Sequence, residues 1–212
     1  MKQRSMMAAL AVAMVASVSA GAQTIPEVDL PSSPRGLAAI EVAGTWVDSP
    51  NGRQYRDGKW ITVDYGRPIL RGRTNVFGSG ADYGVAISDG SAVWRAGANE
   101  TTRLTTQVPL RFGTSSVPPG VYNVMVDLKG GAWTLVLSSQ PIQPRYDPTD
   151  KINLYGSYNY DPKFDVLRAP MMVDEAPVSF EQFTLDFIDV TPTGGTLLMI
   201  WERTVAMVPF TW

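Results

Sequence analysis

Three groups of side chains in this sequence have types and spacings that could do chemistry. The first is Val93-Trp94-Arg95-Ala96-Gly97-Ala98-Asn99-Glu100, which brings an aromatic ring, a cation, an amide and a carboxylate into one short run. On an extended chain Trp94 and Arg95 face opposite ways. Gly97-Ala98-Asn99 then predicts a corner, with Gly97 free to take positive φ and Asn99 able to bond its own backbone. Two readings are open. In one, Trp94 plugs the core, Arg95 is tied to Glu202 or Asp64, Asn99 caps the corner and Glu100 closes a self-satisfied polar network. In the other, Arg95, Asn99 and Glu100 line a pocket.

The second group is Arg71 and Arg73. Two residues apart, they leave the same face if the segment is extended, and two guanidinium forks on one face suit a carboxylate, sulfate or phosphate. Pairing with Glu100 and Glu202 is the plainer outcome, because structural ion pairs outnumber anion sites. Arg71, Arg73, Trp94, Arg95, Asn99 and Glu100 make up the candidate ligand set, for an acidic or carbohydrate-like ligand. The third group is aromatic. Tyr155, Tyr158 and Tyr160 with Trp133 form a candidate platform for sugar rings or a protein partner; as alternate residues, Tyr158 and Tyr160 also fit an edge strand.

Absent residue types limit the chemistry further. The chain has no His and no Cys, so Ser-His-Asp triads, Cys-His pairs and His-ligated zinc are excluded. The best carboxylate pair for a glycan hydrolase is Glu100 with Glu202, which would have to face each other across a cleft. Nearby arginines would lower a carboxylate pKa instead of raising it, which argues against a general acid. Asp147, Asp150, Asp161 and Asp165 offer oxygens for calcium, but their spacing matches no known ion loop and Asp-Pro turns account for most of them. No cofactor is predicted.

The elements that must position these groups are strands. Ile61, Val63 and Tyr65 alternate with Thr62 and Asp64, Leu104 to Phe112 repeats the pattern, and so do Tyr122 to Leu128, Trp133 to Leu137 and Phe183 to Phe187. Pro118-Pro119-Gly120, Lys129-Gly130-Gly131 and Thr193-Gly194-Gly195 mark turns between them. No helical period is sustained, so the expected fold class is all-β, an antiparallel β-sandwich of jelly-roll or Ig-like type with nine or ten strands. Leu197 to Trp201 predicts a strand covered on both faces. Glu202 should share a side with Leu198 and Ile200, where a carboxylate needs a cation or a neutral form. The stretch from Ser138 to Pro162 is too long for a simple connection and is expected to be functional or mobile.

The ends bear on destination. Lys2 and Arg4, the apolar run Met6 to Val18 and Ala20-Gly21-Ala22 resemble a secretory signal over residues 1–22, with a retained anchor as the alternative. Residues 23–34, with three prolines, predict an extended linker before a single domain at 35–212. The expected destination is the periplasm or the extracellular space, and the lack of Cys favours a bacterial exporter. Without Lys2 and Arg4 the chain keeps 16 basic residues against 20 acidic ones. That balance gives no reason to expect nucleic acid, and no later run is apolar enough to span a membrane.

Several runs together carry a family resemblance. Tyr65-Gly66-Arg67-Pro68, Arg71-Gly72-Arg73, Val76-Phe77-Gly78, the Val93 to Glu100 run and Pro119-Gly120-Val121-Tyr122 resemble the signature blocks of domain-of-unknown-function family 2911, as do Phe164 to Arg168 and Trp201-Glu202. The resemblance implies an exported bacterial β-rich domain and no assigned activity. This chain departs from the pattern by a longer stretch between Gly78 and Trp94 and by the Tyr/Asp-Pro insertion after Ser138.

Overall fold

Alternating strands need a second layer to bury their apolar faces, and here one core cluster draws side chains from two sheets. A computed structural model describes residues 29–212. The expected signal, residues 1–22, and residues 23–28 of the expected linker lie outside the described residues. In chain order the strands are β1 (Arg35–Val42), β2 (Thr45–Val47), β3 (Gln54–Arg56), β4 (Lys59–Gly66), β5 (Thr102–Thr106) and β6 (Leu110–Phe112). They continue with β7 (Ser115–Val117), β8 (Gly120–Asp127), β9 (Thr134–Ser138), β10 (Asp165–Pro170), β11 (Met172–Ile188) and β12 (Gly194–Thr211). A short α-helix, α1 (Val85–Ser88), lies between β4 and β5, just after a 3-10 turn at Gly80–Asp82.

Every strand pairing is antiparallel. One sheet runs β1-β4-β5-β8-β9-β10, a second runs β11-β12-β6-β7, and β2-β3 is a separate hairpin. The fold is therefore all-β, with about twelve strands instead of nine or ten. Two causes account for the difference. The Leu104 to Phe112 pattern breaks at a corner where Thr106 Oγ1 bonds Val108, so β5 joins the first sheet and β6 the second. The β2-β3 hairpin buries none of its residues and so leaves no apolar alternation to read.

Ile61, Val63 and Tyr65 of β4, Val124 and Val126 of β8, and Leu135 and Leu137 of β9 enter the shared core with Phe183, Leu185 and Phe187 of β11. The Tyr65 hydroxyl accepts the Leu185 N–H at 3.0 Å and so ties the first sheet to the second. On the opposite face of β8 and β9, Met125 and Val136 are also fully buried, in a smaller cluster with Val93 and Leu154. The long segment after Ser138 covers that face. It is held down by amide side chains: Gln140 Nε2 donates to the carbonyls of Ile152 and Asn159, and Asn123 Nδ2 donates to Gln140 O.

β12 changes face part-way along. Leu197, Met199 and Trp201 point into the core before Glu202, whereas Ala206, Val208 and Phe210 do so after it. Strict alternation cannot shift from odd to even positions without an irregularity. Glu202 provides it, with φ of +53°, and the β11 pairing jumps from Glu175–Thr204 to Phe180–Glu202 at the same place. Glu202 is thus a bulge residue and does not continue the Leu198 and Ile200 row. Of the expected two-sided cover on Leu197 to Trp201, Ile200 is buried and Leu198 half-buried on the second face.

Candidate functional site

Trp94 is joined to β8 by a single bridge, its N–H and C=O both bonding Val126 at 2.8 Å. The ring is 1% exposed and meets Phe77, Trp133 and Phe183 edge to face at 5.1 to 5.9 Å. Such aromatic packing contributes beyond plain area burial. Arg95 points the other way. Its Nη1 donates to Asn99 O at 3.0 Å, its Nη2 lies 3.8 Å from Asp89 Oδ2, and its guanidinium sits 5.5 Å from the centre of the Tyr158 ring. Tyr158 donates its hydroxyl to the same Asp89 carboxylate, an arrangement that pushes the phenol pKa up. The opening motif and the tyrosine segment are therefore neighbours in space.

The expected partners of Arg95, Glu202 and Asp64, are both engaged elsewhere. Asp64 pairs with Arg35, which also holds Glu100 at 2.9 Å on the exposed surface. Arg35 stays charged well into alkaline solution: burial opposes the charge but the bonds to Asp64 and Glu100 outweigh it. Asn99 takes positive φ as a corner residue does, yet its Nδ2 reaches Ser33 O at 3.3 Å and not its own backbone. The corner is crowded from below, since a Cβ on Gly66 would overlap the Ala98 carbonyl.

Arg71 and Arg73 do not share a strand face. Arg71 has φ of +51°, so the chain turns there, and its side chain reaches Ser32 O while its N–H bonds Glu181 Oε1 at 2.7 Å. Arg73 folds back, donating from Nε to Leu70 O at 3.0 Å and from Nη2 to Ile69 O at 2.8 Å, and lies over Trp201 at 5.6 Å. Neither arginine pairs with Glu100 or Glu202. Glu202 instead accepts the backbone N–H groups of Asn75 at 2.6 Å and Val76 at 3.0 Å. Two amide donors supply the compensation that a partly buried carboxylate requires. They also fasten the turn carrying Arg73 to the bulge of β12.

The result is a cleft of about 350 Å³ in which Arg73 and Arg95 meet, with Asn99, Asp89, Trp94 and Trp201 also lining it. An adjoining cleft of about 490 Å³ shares Arg73, Trp201 and the α1 residues Ala86 and Ile87. Of the six candidate ligand residues, Arg73, Trp94, Arg95 and Asn99 come together, whereas Arg71 and Glu100 do not line it. Trp94 contributes only a nearly buried edge. Glu202 lines a different cavity of about 510 Å³, with Asp174 and Arg203 but without Glu100, and its two oxygens are both bonded to backbone. The paired-carboxylate geometry of a glycosidase is not formed by those two residues.

The tyrosines do not assemble into a platform with Trp133, which is buried and donates its indole N–H to Tyr83. Tyr160 is half-buried and bonds Asp165 at 2.6 Å; burial first, and that bond second, push its phenol well above the ordinary range. Tyr155 and Tyr158 bridge each other in a turn, not in an edge strand, and Tyr146 lies against Tyr155 at 5.2 Å. The aspartates are also occupied. Asp147 accepts from Thr149, Asp150 from Ile152 and Asn153, Asp161 from Lys163 and Asp165 from Arg168. Among the described residues no group of three or more acidic side chains is placed to hold a metal.

Segments distant in sequence, around Arg73, Trp94 to Asn99 and Trp201, thus converge on one cleft. The model of the family DUF2911, a protein of unknown function, matches residues 49–210. The chain belongs to that family. No curated protein and no solved structure matches it. The stretch between Gly78 and Trp94 supplies α1 and Asp89 and so builds one wall of the cleft. Two lining residues are not legible in the sequence. Trp201 ends a continuous apolar run and reads as plain core; Asp89-Gly90 reads as a turn and carries no sign of its contact with Arg95.

Proposed function

We propose that this protein is an exported β-sandwich module that binds a small acidic ligand in the cleft between Arg73 and Arg95. The observation that supports it is a single cleft lined by two arginines from segments more than twenty residues apart, one of them stacked over the Trp201 ring. Arginine forks suit planar anions, and a concave site with convergent polar groups suits a small ligand. One shared core between a six-stranded and a four-stranded sheet supports the sandwich reading. Export rests on the sequence of residues 1–22; among the described residues no helix is long and apolar enough to cross a membrane.

The test is thermal unfolding with benzoate, succinate, glucuronate, inorganic phosphate and glucose, on wild type, Arg73→Gln and Arg95→Gln. At least one acidic compound should raise the wild-type midpoint, with a smaller rise in each variant and none with glucose. A midpoint that none of the acids moves, or one that moves equally in all three proteins, refutes the reading.

A further inference from the structure

The charges in the cleft narrow the class of anion it can take. Arg73 and Arg95 share the lining with one carboxylate, Asp89, which leaves an excess of one positive charge. Asp89 is held through one oxygen, Oδ2, which faces both the Tyr158 hydroxyl and Arg95 Nη2. A dianion seated between the arginines would also face that carboxylate, and like charges at short range cost affinity. A monoanion matches the excess.

The donors point the same way. Arg73 spends Nε and Nη2 on carbonyls of its own turn, so Nη1 is left without a protein partner among the described residues. Trp201 is 3% exposed, and its indole Nε1 is buried with no hydrogen-bond partner. A buried N–H without an acceptor is costly and rare, and a ligand oxygen would relieve it. The Arg73 Nη1 group and the indole N–H together suit the two oxygens of a carboxylate. Pro68, Ala86 and Ile87 give the cleft an apolar side, and the Gly97-Ala98-Asn99 corner also lines it.

We infer that the ligand is a monocarboxylate with an apolar body, bound by Arg73 and the Trp201 indole N–H, and that Asp89 discriminates against phosphate monoesters. This rests on the acidic-ligand reading of the cleft and goes beyond it by naming the anion and two residues that select it.

The test uses benzoate and phenyl phosphate, which carry the same ring. The ¹H–¹⁵N spectrum of the labelled protein contains indole signals from its tryptophans, and Trp201→Phe, or triple-resonance assignment if that variant does not fold, identifies the relevant one. Benzoate should move the Trp201 signal saturably and leave that of Trp212, also buried and unpartnered but outside the cleft, in place. Phenyl phosphate should bind about tenfold more weakly, and Asp89→Asn, which keeps an acceptor for Tyr158, should close most of that gap. Equal or tighter binding of phenyl phosphate by wild type, or saturation by benzoate without movement of the Trp201 signal, overturns the inference and leaves an acidic-ligand site standing. If neither compound moves any signal from the cleft, both readings fall.

Discussion

Replacing Glu202 by Gln isolates the contact that places Arg73. The Glu202 carboxylate accepts two backbone N–H groups, from Asn75 at 2.6 Å and Val76 at 3.0 Å, and sits at the irregularity that reverses the facing of β12. Gln retains one acceptor oxygen and turns its amide group, a donor, toward the other N–H. A hydrogen bond to a charged group contributes about 1.5–3 kcal/mol, and two opposed donors in a partly buried site add to the loss. The expected destabilisation is about 2–3 kcal/mol, which for a domain of this size lowers the melting temperature by about 4–12 °C. Differential scanning calorimetry at neutral pH reads it directly. Because the same turn presents Arg73, benzoate affinity at a temperature where the variant is folded should fall as well. A midpoint within about 1 °C of wild type, the scale of an ordinary surface substitution, would refute the idea that this carboxylate fastens the turn.

Three further outcomes are expected. Arg95→Ala removes a bond to the Asn99 carbonyl and a contact with Tyr158 but strands no buried carboxylate, since Asp89 is 60% exposed; the loss should be about 1 kcal/mol, and a calorimetric loss above about 3 kcal/mol would restore a purely structural role. Gly156→Ala places a Cβ 2.7 Å from Arg95 Nη1 at a residue with φ of +60°, so it should destabilise by about 1–2 kcal/mol and weaken benzoate binding, whereas an unchanged melting curve and affinity would contradict the packing. Asp150 is held below the ordinary carboxylate range by the backbone N–H groups of Asn153 and Ile152 and by the Asn153 side chain. A depressed folded value means that the order it lends its turn is complete above the unfolded value of about 3.9 and is lost as pH falls through the folded one. Amide shifts of Ile152 and Asn153 followed from pH 5 downward should therefore show a midpoint under about 3.9, and one at or above it would refute the assignment.

The strands that meet the core were legible because period two marks them, and Ile61, Val63 and Tyr65 lie as the alternation predicts. The bulge at Glu202 was not, because the apolar residues on either side of it fit a continuous strand until the change of parity is seen in three dimensions. The division of β5 from β6 depends on a Thr106 side-chain bond across a corner, which alternation does not encode. In the site, the opposed directions of Trp94 and Arg95 follow from backbone geometry alone. The surroundings of Arg95 do not: Tyr158 lies sixty-three positions away and reaches it only because the segment after Ser138 folds across β8 and β9 to cover Met125 and Val136. Arg71 and Arg73 share one face only on an extended chain, and positive φ at Arg71 and Gly72 removes that condition.

The most direct test of the account is a crystal structure of the protein with benzoate at saturating concentration. The carboxylate should lie in the cleft, within hydrogen-bond distance of Arg73 and the Trp201 indole nitrogen, with the ring against Pro68 and Ile87. Benzoate bound elsewhere, while the cleft between Arg73 and Arg95 holds only solvent, would contradict it.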